Sequence, residues 1–126
     1  MKALQIIEAA FRGTLEEQDD TIIWLTHSMR DAGGDLSVLL TGNAVNYAVK
    51  GQDASGLRFG GWTQTHPPRI GHELEKLAGK GVPVYAVRDD LDRRGLGQAA
   101  LVQGVKVVAR EAVAGLFDEH DQVWHW

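Results

Sequence analysis

The densest group of chemically active side chains is Arg88-Asp89-Asp90-Leu91-Asp92-Arg93-Arg94. Its carboxylates are hard oxygen ligands that can hold a divalent cation. Its arginines are planar donors that can grip a small anion such as sulfite, thiosulfate or phosphate. The same run also reads as a self-compensating, solvated turn, with Asp89 or Asp90 capping a short helix. Asn43 follows Thr41-Gly42, and the amide groups of a helix starting there can receive an anion. Asn43 and Arg88 are the first candidates for polar contacts to such a ligand, with Asp89, Asp90, Arg93 and Arg94 beside them and His66 closing from a loop.

Other reactive residues form weaker patterns. His66 and His72 flank Pro67-Pro68 at a spacing that matches no metal-binding motif, and Gly71-His72-Glu73-Leu74-Glu75 lacks the second histidine of a zinc-protease helix. His120 and His125 stand near the end of the chain without a ligand pattern. No metal site and no cofactor is expected. His27 reads as facing sideways on a helix, either a surface histidine or one at a pocket or interface. Ser28 and Ser37 lack the surroundings of a hydrolase nucleophile. Gly33-Gly34 and Gly60-Gly61 are a helix stop or loop hinge, not a phosphate fingerprint. The acids Glu16, Glu17, Asp19 and Asp20 would repel an anion at the first helix.

The elements that must position these groups alternate in type. Residues 2–8, 36–40, 82–87, 102–108 and 123–126 carry the short apolar runs of buried strands. Between them, residues 20–31 predict a helix with Asp19 or Asp20 as cap and with Ile22, Leu25 and Met29 inward. A short helix follows Asn43, another spans 70–79 with Ile70, Leu74 and Leu77 inward, and a last one occupies 110–120. Residues 51–69 are rich in glycine, contain Pro67-Pro68, and predict a long surface loop. Strands alternating with helices imply one α/β unit over residues 1–126, a three-layer α/β/α sandwich on a five-stranded, mainly parallel sheet covered on both faces.

Composition narrows the functional classes. The 126 residues form one domain of ordinary size and carry a formal charge of -4, which gives no global attraction to nucleic acid or an anionic membrane. Cysteine is absent, so disulfides, thiolate metal sites and sulfur nucleophiles are excluded. No apolar run has the length of a membrane span, and the N-terminus lacks the pattern of a signal peptide, so a cytoplasmic protein is expected.

Three blocks resemble the DsrE family of sulfur-relay proteins, which includes DsrF, DsrH and the TusBCD subunits. They are Leu40-Thr41-Gly42-Asn43-Ala44-Val45 with Ala48-Val49-Lys50-Gly51-Gln52, then Lys80-Gly81-Val82-Pro83-Val84-Tyr85 with Arg93-Arg94-Gly95-Leu96, then Val102-Gln103-Gly104-Val105. The resemblance implies a small cytoplasmic α/β protein that assembles with copies of itself or with relatives. It also implies a persulfide-carrying cysteine just after the third strand, shortly before the Arg93-Arg94-Gly95 turn. Counting back without gaps puts that cysteine at Val87, and its neighbours Ala86 and Arg88 are not cysteine either.

A persulfide carrier is therefore excluded. The expectation is a non-catalytic structural or partner subunit, in a homo-oligomer or with a DsrE-like relative, facing a sulfur-relay protein. The alternative is a domain that binds an anion or nucleotide at the carboxyl ends of its strands. An enzyme would have to work through Asp89, Asp90 and Asp92 with a metal, and nothing else in the sequence completes a mechanism. Trp24 falls on the outer side of the first helix. Trp62 and Trp126 are interface candidates, and Trp124 suits either core or interface, because aromatic side chains anchor contacts between subunits.

Overall fold

The computed structural model describes residues 1–13, 16, 20–52 and 56–126. In chain order the elements are β1 (Lys2–Ile7), α1 (Thr21–Asp31), β2 (Asp35–Leu40), a 3₁₀ turn (Gly42–Ala48), β3 (Arg58–Phe59), β4 (Trp62–Thr63), α2 (Ile70–Gly79), β5 (Val84–Val87), α3 (Arg88–Arg93), β6 (Val105–Val108), a second 3₁₀ turn (Arg110–Ala112), α4 (Val113–Asp118) and β7 (Gln122–His125). Five strands form one sheet in the order β6-β5-β2-β1-β7. Every pairing in it is parallel, with Ile6 opposite Leu39, Leu40 opposite Ala86 and Val87 opposite Val108.

The path of the chain explains the layers. From β1 through β2 and β5 to β6 it steps in one direction, then returns to the far side of β1 as β7. Right-handed crossovers in opposite directions place their helices on opposite faces. One face packs Ile22 and Ile23 of α1 and Leu74 and Leu77 of α2 on Ile7, Val38, Leu40, Val84 and Ala86. The other packs Leu116 of α4 on Leu4, Ile6, Leu39 and Val87. The expected three-layer sandwich is the observed fold, though its two outer layers are unequal.

Asp20 starts α1. Its Oδ1 accepts the amide hydrogens of Ile22 at 2.8 Å and Ile23 at 3.1 Å, which satisfies two of the free donors at the helix end. Asp19 and Glu17 lie outside the described residues. The buried face of α1 is Ile22, Ile23, Thr26 and His27, while Leu25 and Met29 are only half-buried. The inward stripe is thus rotated from the one predicted, because Ile23 fills the layer next to the sheet and Thr26 returns its hydroxyl to the carbonyl of Ile22 at 2.7 Å.

His27 is buried, not a surface group. Its Nε2 lies 3.0 Å from the carbonyl oxygen of Glu73 and 3.2 Å from the Glu73 carboxylate, two acceptors that fix the hydrogen on that nitrogen. Burial pushes its pKa below the ordinary value, and the Glu73 acceptors only partly offset this.

The stretch predicted as a long surface loop contains a hairpin. β3 and β4 pair antiparallel, with Phe59 opposite Trp62 across Gly60-Gly61. Gly60 has a φ of 56°, a left-handed conformation that glycine adopts without steric cost and that two-residue hairpins require. The rings of Phe59 and Trp62 stack at 6.1 Å. Residues 53–55 of the stretch lie outside the described residues.

Candidate functional site at the strand ends

A cleft of about 840 Å³ opens beyond the carboxyl ends of the five parallel strands. Each strand or the segment after it contributes: Glu8 after β1, Thr41 to Asn43 after β2, Asp90, Arg93 and Arg94 after β5, Arg110 after β6, and His125 on β7. This is where open parallel sheets place their ligands.

Asp90 organises the cleft. It is buried, and its Oδ2 accepts the Gly42 amide hydrogen at 2.8 Å while its Oδ1 receives Arg110 Nη2 at 2.5 Å. The residue is carried by α3, which begins directly after the last residue of β5 and so brings Asp90 to the loop after β2. A side chain at Gly42 would be strained: its φ is 52°, and an added Cβ would stand 3.1 Å from Glu8 Cγ. Arg94 spans the same gap. Its Nη2 and Nε donate to Asn43 Oδ1 at 2.8 and 3.1 Å, and its Nη1 donates to the carbonyl of Asp90 at 3.1 Å.

Asp89 accepts the Arg110 amide hydrogen at 3.0 Å, and that bond lowers its pKa; desolvation opposes it, and the charges of Arg110 and Arg93 add weaker support. His125 and Glu8 form a contact of 2.7 Å on the exposed rim. Arg93 is exposed and lines the cleft, so its guanidinium can meet a solute.

The candidate residues are thus divided. Asn43, Asp90, Arg93 and Arg94 come together in the cleft. Arg88, the first residue of α3, is exposed and does not line it, and Asp89 supports it from outside through Arg110. His66 does not close over it. Its amide hydrogen donates to Glu16 Oε2 at 2.5 Å, with Thr65 held by the same carboxylate, and both lie away from the strand ends. The three aspartates do not converge: Asp90 faces inward to Arg110, Asp89 faces the Arg110 amide, and Asp92 is exposed. Among the described residues no group of three or more His, Asp or Glu side chains is placed to hold a metal ion.

Arg110 is the residue that sequence reading missed. It stands outside the charged run, on the turn after β6, and only the pairing of β6 with β5 brings it beside Asp90. A basic residue just past the end of a predicted strand is the one signal that pointed to it.

Val87 is fully buried. It closes β5 and packs in the cluster beneath α4, not in the cleft. Of the aromatic candidates, Trp124 is half-buried, while Trp62 and Trp126 are 38% and 39% exposed. Trp126 donates its indole hydrogen to Gln5 Oε1 at 2.6 Å and prolongs the pairing of β7 with β1.

No protein-family model and no curated protein matches the sequence. Among solved structures the chain is similar to the crystal structure of the ychN protein from E. coli, with a TM-score of 0.75, 23% identity and 100% of each chain covered. Among the described residues no helix is long and apolar enough to cross a membrane. The likeness over the full length of both chains shows the fold: a five-stranded, all-parallel α/β architecture like that of the ychN protein, in a chain without cysteine.

Proposed function

We propose that this chain is a non-catalytic partner subunit of a cytoplasmic sulfur relay, acting by contact in a homo-oligomer or beside a DsrE-like relative that carries the thiol. The observation that carries this reading is Val87. At the position where the resemblance puts the sulfur-bearing residue, the chain has a fully buried aliphatic side chain, and no cysteine occurs elsewhere. A side chain without a lone pair or an acidic proton cannot accept sulfane sulfur. The surface supports a contact role. Phe117 and Val123 on the thinly covered side of the sheet, and Phe59 and Trp62 on the hairpin, are exposed apolar groups of the kind that anchor interfaces.

The test has two parts. After incubation with a low-molecular-weight persulfide, intact mass is expected to show the bare chain with no added sulfur. Light scattering is expected to give a mass above 13.8 kDa, either alone or after mixing with a thiol-bearing DsrE-like protein. A covalent sulfur adduct refutes the proposal, as does a strict monomer in every mixture.

A second reading is binding of a small anion or nucleotide in the strand-end cleft. It rests on Arg93, exposed in that cleft beside Arg94 and Arg110. Against it stands Asp90, whose carboxylate already fills the anion position at Gly42 and neutralises Arg110.

A further inference from the structure

A second cavity, of about 570 Å³, lies between the end of the first 3₁₀ turn, the hairpin segment and the start of α2, and shares no lining residue with the strand-end cleft. That volume is within the range of small-molecule sites. Its inner wall is apolar. Tyr47 meets Phe11 edge to face, with ring centroids 5.2 Å apart, and Val49, Pro68, Ile70 and Val102 complete the surround.

The Tyr47 hydroxyl and the Gln64 amide oxygen in the wall are already engaged. Tyr47 donates its hydroxyl hydrogen to Asp20 Oδ2 at 2.7 Å and accepts the Arg12 amide hydrogen at 2.9 Å, so the cavity sees its ring. Burial, then the bond to Asp20, raises the Tyr47 pKa well above its ordinary value and keeps the phenol uncharged. Gln64 is buried and holds the Leu57 amide hydrogen on its Oε1 at 3.0 Å. Gly71 sits close against Val102 in this wall: an added Cβ would stand 3.3 Å from Val102 Cγ2, so that side chain would have to give.

The mouth carries apolar surface beside its charged groups. Phe11 is 62% exposed and Leu57 43%, so their carbon surface stays in water until an apolar group covers it. Among the described residues, the formally charged side chains that line the cavity, Lys50 and Glu75, are exposed and of opposite sign, with the exposed imidazole of His72 beside them. Aromatic walls favour offset or edge-on rings.

We infer that the cavity bounded by Phe11, Tyr47, Val49, Leu57 and Ile70 is a binding site for an uncharged, planar aromatic molecule. This site is independent of the contact role and of the strand-end cleft. An amide-resolved NMR titration with 2-naphthol tests it, with naphthalene-2-carboxylate and 2-naphthylmethylammonium as anionic and cationic counterparts. The expected result is saturable, one-site movement of the Gly51, Gly71 and Val102 resonances by 2-naphthol, with both charged compounds at least about tenfold weaker.

Val49→Trp, which fills the cavity, is expected to weaken 2-naphthol at least about tenfold. Leu57→Ala, at the exposed mouth, is expected to weaken it about threefold without disturbing the fold. The inference is overturned by no saturable movement up to about 1 mM, by movement centred on Trp24, Phe59 and Trp62 instead, or by a charged compound that binds best.

Discussion

At the scale of single residues, Asp90 and Arg93 carry opposite kinds of information although they share one short helix. Asp90 is buried with both carboxylate oxygens committed, one to a backbone amide and one to Arg110. Removing a buried acceptor leaves its donors without partners, which costs more than the bond itself contributes. Asp90→Ala is therefore expected to lower unfolding stability by about 3 kcal/mol in urea titrations. Arg93 is exposed, and Arg93→Ala is expected to stay within about half a kcal/mol of the parent. On the anion-binding reading, calorimetry with thiosulfate gives heat that Arg93→Ala abolishes. A parent protein silent toward thiosulfate, phosphate and nucleotides removes that reading and leaves the Asp90 network as a purely structural brace.

At the scale of elements, the strands were legible and the stretch between the first 3₁₀ turn and α2 was not. Leu36 to Leu40 and Val82 to Val87 carry apolar residues on both faces, the pattern of a buried parallel strand, so their being strands was legible in the sequence while their order in the sheet was not. β3 and β4 have two residues each, too few for any period to register, and only Phe59-Gly60-Gly61-Trp62 marked the turn. Half of the site was legible for a related reason. Asn43, Asp90 and Arg94 sit at strand ends within the charged and capped segments, whereas Arg110 joins them only through strand pairing. The burial of His27 was not legible because its partner, Glu73, lies on another helix.

That contact makes the junction of α1 with α2 depend on pH. His27 has a folded pKa below its unfolded value of 6.5, because burial disfavours the cation, and Lys80 and Lys76 repel it further. Above 6.5 both states are neutral and the contribution is complete. As pH falls below 6.5 the unfolded chain takes up the proton first, so stability declines until the folded pKa is passed. Urea midpoints measured from about pH 8 to about pH 5 are expected to fall less for His27→Gln than for the parent. Glutamine keeps a donor for Glu73 but cannot titrate, and equal slopes for the two proteins would show that His27 is not the group responsible.

At the scale of the whole molecule, the sheet is insulated unequally. The layer formed by α1, the first 3₁₀ turn, α2 and α3 buries Leu74, Leu77, Val84 and Ala86 completely, while the opposite layer rests on the six residues of α4 and leaves Phe117 and Val123 exposed. Stability within one fold follows local burial, so the two layers are expected to open at different free energies. Leu77→Ala creates a cavity in the thicker layer and is expected to cost about 3–5 kcal/mol, whereas Leu116→Ala, beside solvent, is expected to cost about 2 kcal/mol. Amide hydrogen exchange in dilute protein is expected to show α4 unprotected long before α2. Equal protection of the two helices in a monomer would refute this division. Protection of α4 that grows with protein concentration would instead locate a partner copy over the thin layer, because the apolar surface that one short helix leaves open is then covered by the next subunit.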